Sequence, residues 1–262
     1  MVKNRPEQRS QSANSPGPAL TVSHFSFSYP DQRNVLQNID LKVTTGARVG
    51  LIGPNGAGKT TFFLAICGVL ETDTGEIRLF GERVNHGGFH PEIGMVFQDP
   101  DDQLFCPSVW EDVAFGPRNL GLSQEEVEAR VREALSTTGT LALADRAPHH
   151  LSGGEKRMVS IAGVLAMRPR LVIYDEPNAS LDIRSRRRLI RFLQRSEETF
   201  LIASHDLELI LEVCERVILM DGGRIVADGN PSELMRDAAL MERHGLEKPH
   251  SLIPHTEPHY ER

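Results

Sequence analysis

Apolar and polar positions alternate along Leu20, Val22, Phe25, Phe27 and Tyr29, and again along Ile39, Leu41 and Val43 before the turn Thr44-Thr45-Gly46. A period of two places every second side chain on one face, so both stretches predict antiparallel strands with one buried side. Val49–Ile52, Leu171–Tyr174 and Phe200–Ala203 run apolar without alternation, as strands inside a parallel sheet do. Shorter strands are predicted at Glu76–Phe80 and Ile93–Phe97. A hairpin, Val217–Met220 with Arg224–Ala227, turns about Asp221-Gly222-Gly223.

Between these strands the period lengthens to that of a helix. Phe62, Phe63, Ile66, Val69 and Leu70 form one stripe. Ser123 and Glu126 read as a capping box ahead of Val127, Val131, Ala134 and Leu135. Leu141–Arg146 reads as a further helical piece, stopped by Pro148. Ser152 and Glu155 form a second capping box before Met158, Ile161, Ala162 and Leu165, and Arg168-Pro169 ends that helix. An arginine-bearing helix follows Asp182, and Ser232 and Glu233 open a last short one. The stretch Asp99–Pro117 mixes carboxylates, prolines, phenylalanines and Trp110, the only tryptophan. It does not predict a plain core helix; an interaction surface and a locally packed subdomain are both open readings.

Composition narrows the class. The chain has 262 residues, 39% apolar and 25% charged, which suits one large globular α/β domain with perhaps a small lobe. A net charge of −7 argues against bulk nucleic-acid binding. No apolar run approaches the about 18 residues of a membrane span. Residues 1–19, rich in Ser, Pro, Gln and Asn, read as a disordered lead and not as a secretory signal. Cys67, Cys106 and Cys214 have no metal spacing and read as reduced thiols. The tail beyond Leu246 is polar and Pro-rich. Its His250, His255 and His259, with His244 just before it, fit no defined metal site, and disorder is the expected state.

The candidate chemistry starts at Gly53-Pro54-Asn55-Gly56-Ala57-Gly58-Lys59-Thr60-Thr61, which contains the pattern G-x-x-x-x-G-K-[ST] between a strand and a helix. Gly56 and Gly58 let the backbone curl toward a triphosphate, Lys59 reaches the β/γ-phosphates, and the Thr60 hydroxyl suits Mg²⁺. The helix start adds a positive dipole end. A second helix start, at Ser152-Gly153-Gly154, carries two glycines that a capping box does not require and that cost helix propensity. Bare N–H groups there make a second anion site. One nucleotide has one triphosphate tail, so either two anions bind or the second site serves a nucleotide held by another copy.

Asp175 and Glu176 arrive at the C-terminal end of a buried strand, where open α/β sheets hold ligands. Asp175 suits the surroundings of Mg²⁺, and Glu176 suits a base that orients the attacking water. His205 ends the next buried strand and reads as a γ-phosphate sensor at the same edge. Gln98 ends a strand and can offer its carbonyl to Mg²⁺ or water; loop solvation is the plainer reading. Tyr29 can stack on an adenine, but on its residues alone an amphipathic edge tyrosine is the better reading. The arginines Arg184, Arg186, Arg187, Arg188, Arg191 and Arg195 read first as a solvated helix face.

Together these motifs resemble the ATP-binding subunits of ABC transporters, in order, from about Leu20 to Gly229. The resemblance implies an α/β P-loop NTPase fold with a parallel-sheet core, an N-terminal antiparallel β subdomain and a helical subdomain over about residues 99–167. It puts the ATPase domain at 20–245 and leaves 246–262 as a polar tail. It implies Tyr29 as the adenine-stacking aromatic, Gly53 to Thr61 as the ATP loop, Gln98 as the Q-loop residue, Leu151 to Glu155 as the signature, and Asp175 and Glu176 as the Walker B aspartate and catalytic glutamate. Ser180 to Asp182 matches the D-loop and His205 the switch histidine. Thr60, Gln98 and Asp175 would surround Mg²⁺. The family's subunits dimerise head to tail, so Ser152, Gly153, Gly154 and Asp182 would meet ATP held by a second ATPase subunit, identical or different.

A narrower resemblance, to the energy-coupling factor (ECF) group and its cobalt and nickel importer ATPases, rests on Phe97–Phe105, Glu111–Pro117 and Ile161–Met167. It implies an integral membrane coupling subunit, a substrate-binding membrane subunit, a peripheral place on the cytoplasmic face, and a docking surface near Trp110. An importer of a vitamin or another small molecule, or a non-transport ABC ATPase, is the alternative. The chain departs from the family in Pro177-Asn178-Ala179-Ser180-Leu181-Asp182, where Asn178 stands in place of Thr and Ser180 in place of Gly. Asp99 is often Asn in relatives.

Overall fold

The computed structural model describes residues 17–253. Strand β1 (Pro18–Phe27) pairs antiparallel with β2 (Leu36–Thr44), as the alternation requires: Leu20, Val22, Phe25 and Phe27 are buried. It begins two residues inside the stretch expected to be a lead. The segments 1–16 and 254–262 lie outside the described residues. Next come β3 (Arg48–Ile52), α1 (Lys59–Ile66), β4 (Thr74–Leu79), β5 (Glu82–Arg83) and β6 (Ile93–Val96). Helix α1 stops at Ile66, so Val69 and Leu70 fall beyond it.

The stretch after Gln98 opens with a 3₁₀ turn, Pro100–Asp102, and becomes a helix after all, α2 (Val109–Asn119), capped by the Ser108 hydroxyl. Pro117 misleads the sequence reading because it lies near the end of the helix, where it removes one N–H donor without stopping the two residues that follow from completing the turn. Helices α3 (Gln124–Thr137) and α4 (Gly153–Leu165) both begin with the predicted capping boxes. Leu141–Arg146 is only a single 3₁₀ turn, Leu141–Leu143. The core finishes with β7 (Leu171–Asp175), α5 (Ile183–Arg195), β8 (Thr199–Ala203), α6 (Leu207–Val213), β9 (Arg216–Asp221), β10 (Arg224–Gly229), α7 (Pro231–Leu234) and α8 (Ala238–Arg243). Asn230, not Ser232, caps α7.

Two sheets form the frame. The antiparallel one runs β2-β1-β4-β5; the other runs β10-β9-β3-β8-β7-β6, with β9, β3, β8, β7 and β6 parallel and β10 antiparallel at one edge. Apolar side chains of both sheets meet around α1, including Phe62, Phe63, Leu51 and Ile218. A second core fills the space between the large sheet and α5 and α6. A third, of Val109, Val113, Val131, Leu135 and Val159, joins α2, α3 and α4 into a helical unit. Residues 246–253 pack back on the domain: Leu246 and Leu252 meet the second core, and the Ser251 hydroxyl donates to Glu208 at 2.6 Å. That part of the segment read as a polar tail is ordered by contact.

The parallel order fixes the working edge. β3, β8, β7 and β6 are consecutive neighbours, so their C-terminal ends deliver the glycine-rich loop, His205, Asp175-Glu176 and Gln98 side by side.

Candidate functional site

The loop after β3 is held open from below. A Cβ on Gly53 would lie 2.0 Å from the Met220 carbonyl oxygen on β9, so only glycine fits. The β9–β10 turn supports the loop through the Gly223 amide, which donates to Ala57 O at 3.1 Å. Gly56 faces open space. Lys59 is 8% exposed and its Nζ donates to Gly53 O at 2.8 Å and Pro54 O at 3.0 Å. Burial pulls its pKa below the ordinary lysine value, with Glu176 and Asp175 opposing.

Thr60, the second residue of α1, donates its hydroxyl to Asp175 Oδ2 at 2.8 Å. Two oxygen ligands of hard-cation type therefore stand together at the foot of the loop. Burial raises the Asp175 pKa, against the Thr60 hydrogen bond and Lys59. Glu176 follows with φ of +46°. Its Oε2 accepts the His205 amide at 3.1 Å, and its Oε1 lies 3.3 Å from His205 Nε2. Burial raises its pKa too. A carboxylate held high by desolvation beside a histidine is a poised proton acceptor.

These groups line one cleft of about 420 Å³, together with Asn55 to Thr61, Gln98 and Tyr29. The volume and the glycine-rich loop at the start of α1 suit a nucleotide, and the hydroxyl–carboxylate pair suits Mg²⁺ bound through few protein ligands. Tyr29 stands against Phe27 edge to face, with ring centroids 4.8 Å apart, and its hydroxyl lies 3.5 Å from Thr61 Oγ1. Gln32 and Val35, which no motif marks, also line the cleft, because the irregular β1–β2 connection folds over it.

Ser152, Gly153, Gly154 and Asp182 do not line the cleft. Ser152 Oγ accepts the Glu155 amide at 3.3 Å and caps α4. Asp182 Oδ1 accepts the Ser185 amide at 2.7 Å and caps α5, and that bond holds its pKa low. Gly153 borders a second hollow of about 460 Å³, shared with Gln98 to Asp102 and Ala179 to Leu181. The two glycines also differ. A Cβ on Gly153 would meet nothing within 4 Å, whereas one on Gly154 would lie 2.1 Å from Ser185 Oγ. Gly154 thus has a packing reason, and the anion-site argument rests on Gly153.

Sequence reasoning missed Arg157. It is 1% exposed on α4, and its guanidinium donates to Phe97 O at 2.6 Å and Gln98 O at 2.5 Å. Burial lowers its pKa to about 10. Lys156 Nζ meets Asp101 at 2.6 Å, and the Gln103 amide donates to Ser160 O at 2.8 Å. The stretch after Gln98 is therefore bound to the helix that begins at Ser152. The one available signal was an arginine inside an apolar stripe. Trp110, by contrast, is partly covered: it packs into the helical core, with Arg132 at 5.7 Å from its ring. The exposed aromatics there are Phe105 and Phe115, 65% and 46% exposed and paired edge to face.

The family whose sequence profile matches is described as ABC transporter, over residues 36–179. A protein of Synechocystis sp., provisionally named an ABC transporter ATP-binding protein, is 56% identical over 235 residues, 90% of this chain and 83% of that protein. The energy-coupling factor transporter ATP-binding protein EcfA of Methanothermobacter thermautotrophicus is 48% identical, covering 88% of this chain and 76% of its own. Among solved structures, cbiO1 from Clostridium perfringens, described as part of the ABC transporter complex cbiONQ, superposes with a TM-score of 0.78 at 34% identity, over 87% of this chain and 94% of that one.

Proposed function

The chain belongs to the ABC transporter family as an ATP-hydrolysing transporter subunit, and from that premise we propose that it powers an importer of the energy-coupling factor type, with cobalt or nickel ions as cargo. The observation that carries the hydrolytic reading is the cleft in which Thr60–Asp175 and Glu176–His205 face the phosphate loop. Asn55 to Thr61 hold the triphosphate, and Tyr29 packs against the base. Thr60 and Asp175, with Gln98, hold Mg²⁺, which supplies neutralisation of phosphate charge. Glu176 takes the proton of the attacking water, and His205 fixes Glu176 and meets the γ-phosphate. The rate gain comes from positioning and charge, without a covalent intermediate.

Gly153 and Ser152 complete the site of a second ATPase subunit, head to tail, and Asp182 joins them. The ECF reading is supported by the similarity to EcfA and cbiO1 and by the segments Phe97–Phe105, Glu111–Pro117 and Ile161–Met167. The exposed Phe105–Phe115 pair supports a docking surface for the membrane coupling subunit. No helix among the described residues is long and apolar enough to cross a membrane. In the proposed importer the membrane-embedded parts are other subunits, one for coupling and one for substrate binding. A vitamin or another small molecule is the alternative cargo.

Glu176→Gln tests the hydrolytic reading: the variant should bind ATP, dimerise and barely hydrolyse, and wild-type turnover would remove Glu176 from its role. Copurifying the membrane partners and identifying the bound cargo tests the importer reading. A partner set that carries no metal ion would reject cobalt and nickel.

A further inference from the structure

A groove of about 850 Å³, about twice the volume of the nucleotide cleft, runs between α5 and the end of α3. One wall is a stripe of arginines: Arg184, Arg187, Arg188, Arg191 and Arg195 recur at helical spacing on one face of α5, and all five line the groove. The other wall is Thr137 to Gly139 at the end of α3; Phe192 supplies apolar surface over the nearly buried Met158, and Ser196, Glu197 and Glu198 line the end beyond Arg195. Only Arg187 of the five has a carboxylate at ion-pair distance among the described residues, Glu212 at 2.6 Å. Arg188 is spent on carbonyls: its Nη2 donates to Thr138 O at 2.8 Å and Gly139 O at 2.6 Å.

This stripe works against the helix that carries it. Like charges three and four apart repel, and cations in the first turns oppose the helix dipole. α5 has no acidic residue in its first turn. The chain as a whole has 36 acidic and 29 basic residues, so carboxylates to relieve the stripe were not scarce. Arg187 and Arg188 have partners in the fold, but Arg184, Arg191 and Arg195 have no carboxylate at ion-pair distance among the described residues; three such cations along a concave wall mark a surface kept for a ligand. Guanidinium forks match phosphate oxygens two at a time. The volume is that of a small-molecule site. We propose that this groove binds a phosphate-rich small molecule. Its phosphates lie along Arg184, Arg191 and Arg195, and its carbon skeleton lies against Phe192. The site bridges α3 and α4 on one side and α5, capped by Asp182, on the other, so occupancy ties the helical unit to the catalytic core.

The test uses the full chain with saturating Mg-ADP, which keeps the nucleotide cleft filled, and inositol hexakisphosphate as the probe. Titration calorimetry should show binding that Arg191→Gln/Arg195→Gln weakens at least tenfold, with ADP affinity unchanged. Because that pair relieves repulsion, its melting temperature should equal or exceed the wild type's. A control pair elsewhere on the surface, Arg83→Gln/Arg243→Gln, should leave binding within twofold. Equal weakening by the control pair means general charge attraction and overturns the proposal. So does an unchanged affinity in the groove variant, or poly-glutamate binding more tightly than the probe, which would assign the groove to an acidic protein segment. Loss of ADP binding in the untreated wild type would instead reject the nucleotide-cleft reading, a separate outcome.

Discussion

The Ser204 hydroxyl donates to the side-chain oxygen of Asn178 across 2.7 Å, and the same hydroxyl accepts the Asp206 amide at 3.0 Å. Arg186, one turn into α5, also pairs with Asp206, through Nη2 at 3.0 Å. His205 lies between the two tied residues. The stretch from Asn178 to Asp182 and the corner that presents His205 are thus one connected piece, and the departure at Asn178 is a working hydrogen bond.

Breaking that tie should misplace His205 while sparing ATP binding. Asn178→Ala is expected to lower kcat about tenfold, equivalent to about 1.4 kcal/mol, with KM for ATP within about twofold. The buried-side bond itself is worth about 1 kcal/mol of stability. Asn178→Ala and Ser204→Ala combined should cost less than their sum, because the Asn178–Ser204 bond is shared, although Ser204→Ala also frees the Asp206 amide. Strict additivity in steady-state kinetics would show that the contact carries nothing.

Ser180 adopts φ of +60°, the left-handed region, and is exposed. A non-glycine residue there costs about 1–2 kcal/mol, and glycine gives back part of this through unfolded-chain entropy. Ser180→Gly should therefore stabilise by about 0.5–1 kcal/mol, a rise of about 1–4 °C for a chain of this size. Thermal unfolding reads this directly; a lower melting temperature would mean that the serine side chain makes a compensating bond.

Burial raises the pKa of Glu176 in the folded chain above its unfolded value. The folded state then holds the extra proton, so the ionised carboxylate costs stability at neutral pH, and the cost fades as pH falls through the raised value. Glu176→Gln should melt higher than wild type at pH 7, with the difference closing toward acid. In the wild type, the acid limb of kcat/KM should have its midpoint above the ordinary glutamate value of about 4.3. A midpoint at or below that value would disconnect the limb from Glu176.

The two signature glycines should separate in one experiment. Gly153→Ala places a Cβ in open space, so stability should hold or rise by about 0.5–1 kcal/mol. On the proposed head-to-tail arrangement, the methyl would stand where a partner's nucleotide approaches, so hydrolysis should drop at least tenfold, about 1.4 kcal/mol. Gly154→Ala pushes against Ser185 and should cost about 1–3 kcal/mol by overpacking. Chemical denaturation and a phosphate-release assay, run on both, distinguish the roles.

Arg157 donates to two backbone carbonyls, those of Phe97 and Gln98. Arg157→Met leaves Phe97 O and Gln98 O unpaired, at about 1–3 kcal/mol each. Urea unfolding should show an earlier midpoint with an unchanged slope. A wild-type midpoint would mean that water replaces the guanidinium.

The alternation in β1 and β2, the unbroken apolar runs of β7 and β8 and both capping boxes were legible because each signal sits within a few consecutive residues. The same holds for Gly53 to Thr61 and for Asp175-Glu176: their chemistry is written in adjacent side chains. Leu141–Arg146 was misread, and Asp99–Pro117 was left open between an interaction surface and a locally packed subdomain, for the converse reason. Packing against α3 and α4, not local pattern, decided how far each could wind.

A phosphate loop, a carboxylate pair and a histidine, each at the end of a strand, can be read from neighbouring residues alone. Only the tertiary structure decided that β3, β8, β7 and β6 lie in that order, which puts Thr60 against Asp175 and His205 against Glu176. It also decided that Arg157 reaches Gln98, that Gly154 touches Ser185 and that five arginines share one groove wall. These contacts join residues far apart in the chain, and strand order and side-chain packing, which no short window of sequence encodes, bring them within reach.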